Sequence, residues 1–150
     1  MSWCHRGAVA RCVALASLAL LVPATTGCMS SSEAAVETRI NVTMKDFGIK
    51  IDRRVVPAGA VELHVHNRGP STHEINVDRW DNRSGRIPLQ TDGITADEAA
   101  RHLERIDSIE QVDLGATKDL VVDLKPGEYV LWCNLEGHYL GGMHVGFRVR

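Results

Sequence analysis

Residues 126–149 read PGEYVLWCNLEGHYLGGMHVGFRV, and their reading decides the fold. A turn at Pro126-Gly127 opens the strand-like run EYVLW, and a second alternating run, HVGFRV, closes the stretch. Between them Cys133, His138 and Met143 stand at even five-residue intervals among Gly137, Gly141 and Gly142. A continuous strand rises ~3.3 Å per residue, so side chains five apart along one could not share an ion. They meet only if the chain folds back, and the three glycines give the backbone that freedom. A thiolate, an imidazole and a thioether in one loop form a soft donor set of the kind that selects copper.

The remaining cysteines sharpen this point. Residues 1–28, MSWCHRGAVARCVALASLALLVPATTGC, place Arg6 and Arg11 before and at the edge of an apolar run from Cys12 to Val22, and then close in small residues. That is the pattern of an export signal, with an apolar run too short for a membrane-spanning helix. Cys4 and Cys12 leave with such a signal, expected over residues 1–27. The boundary ATTGC resembles the lipobox of bacterial lipoproteins, which implies that Cys28 is lipidated and anchors the protein to the outer face of the cytoplasmic membrane, in the periplasm. Thr25 stands where leucine is usual, which keeps ordinary signal-peptidase cleavage and secretion open as the alternative. Residues 28–37 read as a polar tether and residues 38–150 as one domain. Cys133 is then the only thiol of that domain, and an unpaired thiol in an oxidising compartment calls for burial, reactivity or a metal. Loss of Arg6 and Arg11 leaves 15 basic against 19 acidic residues, a balance that does not suit a nucleic-acid partner.

Upstream, RINVTMKDFGIKID alternates with period two around the turn-like Asp46-Phe47-Gly48, as two strands or one bent strand. In VELHVH the residues Val61, Leu63 and Val65 face inward against Glu62, His64 and His66, before the turn Asn67-Arg68-Gly69-Pro70. THEINVD is a further strand with His73 at its start, and KDLVVDL another. Residues 79–93, RWDNRSGRIPLQTDG, read as loop. TADEAARHLERID predicts a short helix near residues 95–107, opened by the capping box Thr95-x-x-Glu98 with an apolar stripe of Ala99, Leu103 and Ile106. The pattern is all-β, a Greek-key sandwich or barrel of short strands with one inserted helix.

The loop supplies three donors and the fourth must come from elsewhere, with His73 the best placed. Here the resemblance becomes specific, because the sequence resembles the cupredoxins, the type 1 blue copper family. NRGPSTHEINV is similar to that family's Asn-x-Gly followed by the first ligand histidine, and Cys-x4-His-x4-Met matches its last hairpin. The resemblance covers residues 39–150, weakly between 79 and 117. It implies an eight-stranded Greek-key sandwich and one copper held by His73, Cys133, His138 and Met143. It also implies single-electron transfer through Cu(I)/Cu(II) with a redox protein as partner. Glu74 and Asn134 stand where many members have asparagine and a hydroxyl residue, so Glu74 would bring negative charge near the metal if it points inward.

Other readings stay open at this point. An exported carrier that delivers or sequesters copper for a copper-handling partner would use the same four ligands. A copper enzyme would need a second cluster of histidines that one domain of this size does not offer, so no enzymatic activity is expected. A monomer is expected, touching membrane only through the lipid anchor. His64 and His66 lie on one strand face and read as solvated rather than as a second metal site. Trp132 should point away from the copper, into packing or as an outlet for electrons.

Overall fold

A computed structural model describes residue 36, residues 38–80 and residues 85–150. The expected signal segment, Cys28 and nearly all of the tether lie outside the described residues. Nine strands follow one another: β1 (Thr38–Lys45), β2 (Gly48–Ile51), β3 (Val55–Val56), β4 (Gly59–Asn67), β5 (His73–Trp80), β6 (Leu103–Val112), β7 (Thr117–Leu124), β8 (Gly127–Trp132) and β9 (His144–Val149). They form a four-stranded sheet, β2-β1-β4-β7, and a five-stranded sheet, β3-β9-β8-β5-β6. Most pairings are antiparallel, but β1 runs parallel to β4 and β3 parallel to β9, so both sheets are mixed.

Alternation decides which face each strand buries. Ile40, Val42 and Met44 of β1 and Val61, Leu63 and Val65 of β4 meet Ile75, Val77, Leu131, Val145 and Phe147 of the other sheet in one core. The five-stranded sheet is also apolar on its outer face. Val130 and Trp132 point there, and with Trp80, Ile87, Ala96, Ala100 and Tyr139 they form a second, smaller core under the β5–β6 connection. The Tyr139 hydroxyl accepts a hydrogen bond from the Ile87 backbone N–H at 2.7 Å, fastening that connection to the ligand loop.

The helix expected near residues 95–107 does not form, and there is no helix among the described residues. Asp92 takes over the cap that Thr95 was expected to make. Its Oδ1 accepts from Ile94 N and Thr95 N at 2.8 and 3.0 Å, and its Oδ2 pairs with the Thr95 hydroxyl, which closes a turn. Glu98, the expected partner of that cap, binds Asn134 instead. His102 then adopts a positive φ of 73°, which no helix accommodates, and residues from Leu103 onward pair with β5 as an edge strand. The spacing of Leu103 and Ile106 fits a helix, but Ile106, Ile109 and Val112 are β-branched and gain more by joining the sheet.

Candidate metal centre

Asn67 closes β4 and is fully buried. Its Oδ1 accepts from Gly69 N at 2.9 Å, while its Nδ2 donates to Ser71 O and Val112 O at 2.8 and 2.9 Å. This small network turns the chain from one sheet to the other and delivers His73 as the first residue of β5, with no exposed surface. Gly69 is required by closeness: a Cβ there would lie 2.8 Å from Asp46 Oδ1 and 3.1 Å from His73 Nε2.

The other candidate ligands sit on the loop between β8 and β9, which folds back on itself as the glycines allow. Cys133 N donates to Met143 O at 3.1 Å, and Met143 N to His138 O at 2.9 Å, so the backbone ties the three positions together. Gly137 and Gly142 take φ of 74° and 107°, values that side chains rarely tolerate. Gly141 lies under Phe47, whose Cδ1 would be 2.4 Å from an added Cβ.

The four residues predicted from sequence come together. One donor atom each from His73, Cys133 and His138 lies within 4.8 Å of the other two. Cys133 Sγ is 3.5 Å from His138 Nδ1, and the two imidazole rings are 5.1 Å apart at 57°. Met143 is fully buried in the same core cluster as Cys133. Only His138 is partly exposed. Burial pushes the Cys133 thiol up and the charge of Glu74 adds to this, against backbone N–H groups of Glu74 and Leu135 that favour the thiolate. Burial, with the charge of His138, pushes His73 down against the pull of Asp46 and favours a neutral imidazole. Both His73 nitrogens are buried without a hydrogen-bond partner. A buried, neutral imidazole with its Nδ1 unpartnered, beside a buried thiol, a second imidazole and a thioether, fits copper.

Neighbours that sequence reasoning missed surround this set. Asp46 Oδ1 approaches His73 Nε2 at 3.1 Å, and the Phe47 ring meets His138 edge-on at 5.2 Å, so one two-residue turn touches both imidazoles. No local pattern marks them, since both contacts depend on how β1 packs. Glu74 does point inward. Its Oε1 accepts from Asn134 N at 2.8 Å and from Asn76 Nδ2 at 2.7 Å, linking the strand of His73 to the loop of Cys133. Asn134 instead holds the β5–β6 connection, through Ala96 N at 2.7 Å and Ala96 O at 3.1 Å. Trp132 points away from Cys133 into the second core, where its Nε1–H donates to Asp78 Oδ2 at 2.6 Å. On the outer face of the other sheet His64, Glu62 and Asp119 also cluster, but Glu62 is paired with Arg39 at 2.7 Å and His64 with Asp119 at 2.5 Å. His66 binds Thr117.

Comparison with known proteins agrees with the fold. The family model of the cupredoxin-like domain matches residues 16–145. The chain belongs to the cupredoxin-like family. No curated protein matches it by sequence. Among solved structures, auracyanin from Roseiflexus castenholzii is similar at a TM-score of 0.58 and 18% identity, covering 77% of this chain and 98% of that one. Azurin Az-iso2 from Methylomonas sp. strain J is similar at 0.54 and 12%, covering 77% and 99%. Rusticyanin from Thiobacillus ferrooxidans is similar at 0.54 and 11%, covering 75% and 77%. At such identities the likeness is one of fold, and the cupredoxin-like sandwich of this chain includes the ligand loop at the same end as the β1–β2 turn.

Proposed function

We propose that this cupredoxin-like chain is an exported one-electron carrier whose single copper ion is held by His73, Cys133, His138 and Met143. The observation that carries the reading is preassembly. Donors from two segments sixty residues apart are brought within 4.8 Å by backbone and side-chain hydrogen bonds that belong to the fold itself. Bound copper supplies the Cu(I)/Cu(II) couple. The protein's part is to hold the donors still, so that little rearranges when the charge of the site changes.

His73, Cys133 and Met143 are sealed from water, which keeps the thiolate from oxidation and slows ligand exchange. That burial favours an electron carrier over a protein that hands copper on. His138 reaches the surface inside a rim of exposed Phe47, Leu135 and Leu140, an apolar patch suited to brief docking of a redox partner.

The test is the visible and EPR spectrum of the purified protein loaded with Cu(II), followed by stopped-flow reduction. An intense thiolate-to-copper band with narrow copper hyperfine splitting and fast reversible reduction is expected. A colourless or quickly bleached Cu(II) form that retains Cu(I) would turn the reading to copper handling. Residues 1–27 serve as the export signal and Cys28 as the lipid anchor in this proposal; fatty-acid labelling that persists in Cys28→Ser would refute the anchor.

A further inference from the structure

The side chain behind His73 is a carboxylate, and the fold goes to some length to put it there. Asp46 belongs to the turn between β1 and β2, in the sheet opposite the one that carries His73. Its Oδ1 is buried and stands 3.1 Å from His73 Nε2, within hydrogen-bond distance but out of line for a full hydrogen bond. A small tilt of the ring completes the alignment, and no other partner is offered to either atom. Its Oδ2 accepts a hydrogen bond from Ser71 Oγ at 3.0 Å, which fixes the carboxylate plane. Gly69 leaves the space, since a Cβ there would intrude between the carboxylate and the ring.

We propose that Asp46 is a positioning residue of the metal centre, holding His73 with its proton on Nε2 and Nδ1 toward the ion, and biasing the site toward the oxidised ion. The proposal rests on the copper reading above. A neutral imidazole carries one proton, and the nitrogen facing a carboxylate is the one that keeps it. Nδ1, buried and unpartnered, is then the lone-pair donor. A fixed negative charge at the far edge of a ligating ring stabilises the more positive ion over the less positive one, and the Asp46 oxygen that faces the ring is buried although its side chain is 29% exposed.

The test uses Asp46→Asn, which keeps an acceptor but drops the charge, and Asp46→Ala, which drops both. Asp119→Asn serves as a control for net charge, because Asp119 pairs with His64 on the outer face of the other sheet. In Asp46→Asn the Cu(I)/Cu(II) ratio at a fixed solution potential should rise about tenfold, which is ~59 mV for one electron. In Asp46→Ala, Cu(II) affinity should fall a further 10–100-fold, while Asp119→Asn leaves both unchanged. Long-range 1H–15N NMR of the metal-free parent should place the His73 proton on Nε2, and Asp46→Ala should lose that preference. Unaltered potential and affinity in Asp46→Asn and Asp46→Ala, or a proton on Nδ1 in the parent, would overturn the proposal. A parent that binds no copper would sink the copper reading instead, and the NMR arm would still decide what Asp46 does to His73. Should Asp46→Ala not fold, the near-isosteric Asp46→Asn carries both measurements.

Discussion

Gly69→Ala and Gly48→Ala are the same chemical change at two ends of the same small region, and they should have opposite effects. A Cβ on Gly69 would lie 2.8 Å from Asp46 Oδ1, 3.0 Å from Asp46 N and 3.1 Å from His73 Nε2, whereas one on Gly48 meets nothing within 4 Å. Neither glycine has a positive φ, so backbone strain does not enter. At residue 69 the turn must move by roughly half an ångström to restore ordinary contact, and overpacking of this sort costs about 1–3 kcal/mol. The lower entropy of the unfolded chain returns about 0.4–1 kcal/mol in either variant. Gly69→Ala should therefore lose up to about 2.6 kcal/mol, and Gly48→Ala should gain up to ~1 kcal/mol. Urea unfolding of the metal-free proteins reads this difference directly, and copper titration should show weakened binding in Gly69→Ala alone. Equal urea midpoints, or copper binding that weakens equally in the two variants, would refute the claim that Gly69 exists to let Asp46 reach His73.

Trp132→Phe removes the donor to Asp78 Oδ2 while keeping a ring in the second core, so it should lose about 1–3 kcal/mol in urea unfolding with the copper spectrum unchanged. Burial holds the Asp78 carboxyl above its ordinary value, against the hydrogen bonds from Trp132 and Arg105. The folded state thus binds more protons than the unfolded state just above the ordinary carboxylate range, and this group's contribution to stability grows as pH falls through that window. Between neutral pH and pH 4, Asp78→Asn should lose stability more steeply than the parent in urea titrations, and parallel curves would contradict this. Phe47→Ala should change stability by less than about 1 kcal/mol, since the ring is 54% exposed, yet speed the chemical modification of His138 in the metal-free protein.

The ligand loop was legible because its determinants are local: three donors, three glycines and two flanking strands lie within 24 consecutive residues. His73 entered the candidate set through the resemblance of Asn67-x-Gly69 and the histidine after it to the family pattern, and the fold brings it to the loop. The segment from Thr95 to Ile106 misled because its apolar spacing satisfies a helix, while the facts that overrule it are the capture of Thr95 by Asp92 and of Glu98 by Asn134. Nothing in the spacing distinguishes one partner from the other. Asp46 stands 27 residues before His73, and only the parallel pairing of β1 with β4 explains why they meet. Glu74 was recognised as a departure from the family pattern, but its bond to Asn134 N needs both sheet strands in place before it can be seen.

The direction of β1 has a consequence for how the protein presents itself. The strand starts at Thr38 and ends beside the turn that touches both imidazoles, seven residue steps later, or ~23 Å at a strand's rise. β9 starts next to Met143 and runs the other way, leaving the last residue, Arg150, hydrogen-bonded to Val56 at the far end. Both ends of the described domain therefore exit at the pole opposite the metal centre. Within the described domain, a partner that comes to the His138 face therefore meets the pole away from Thr38 and Arg150.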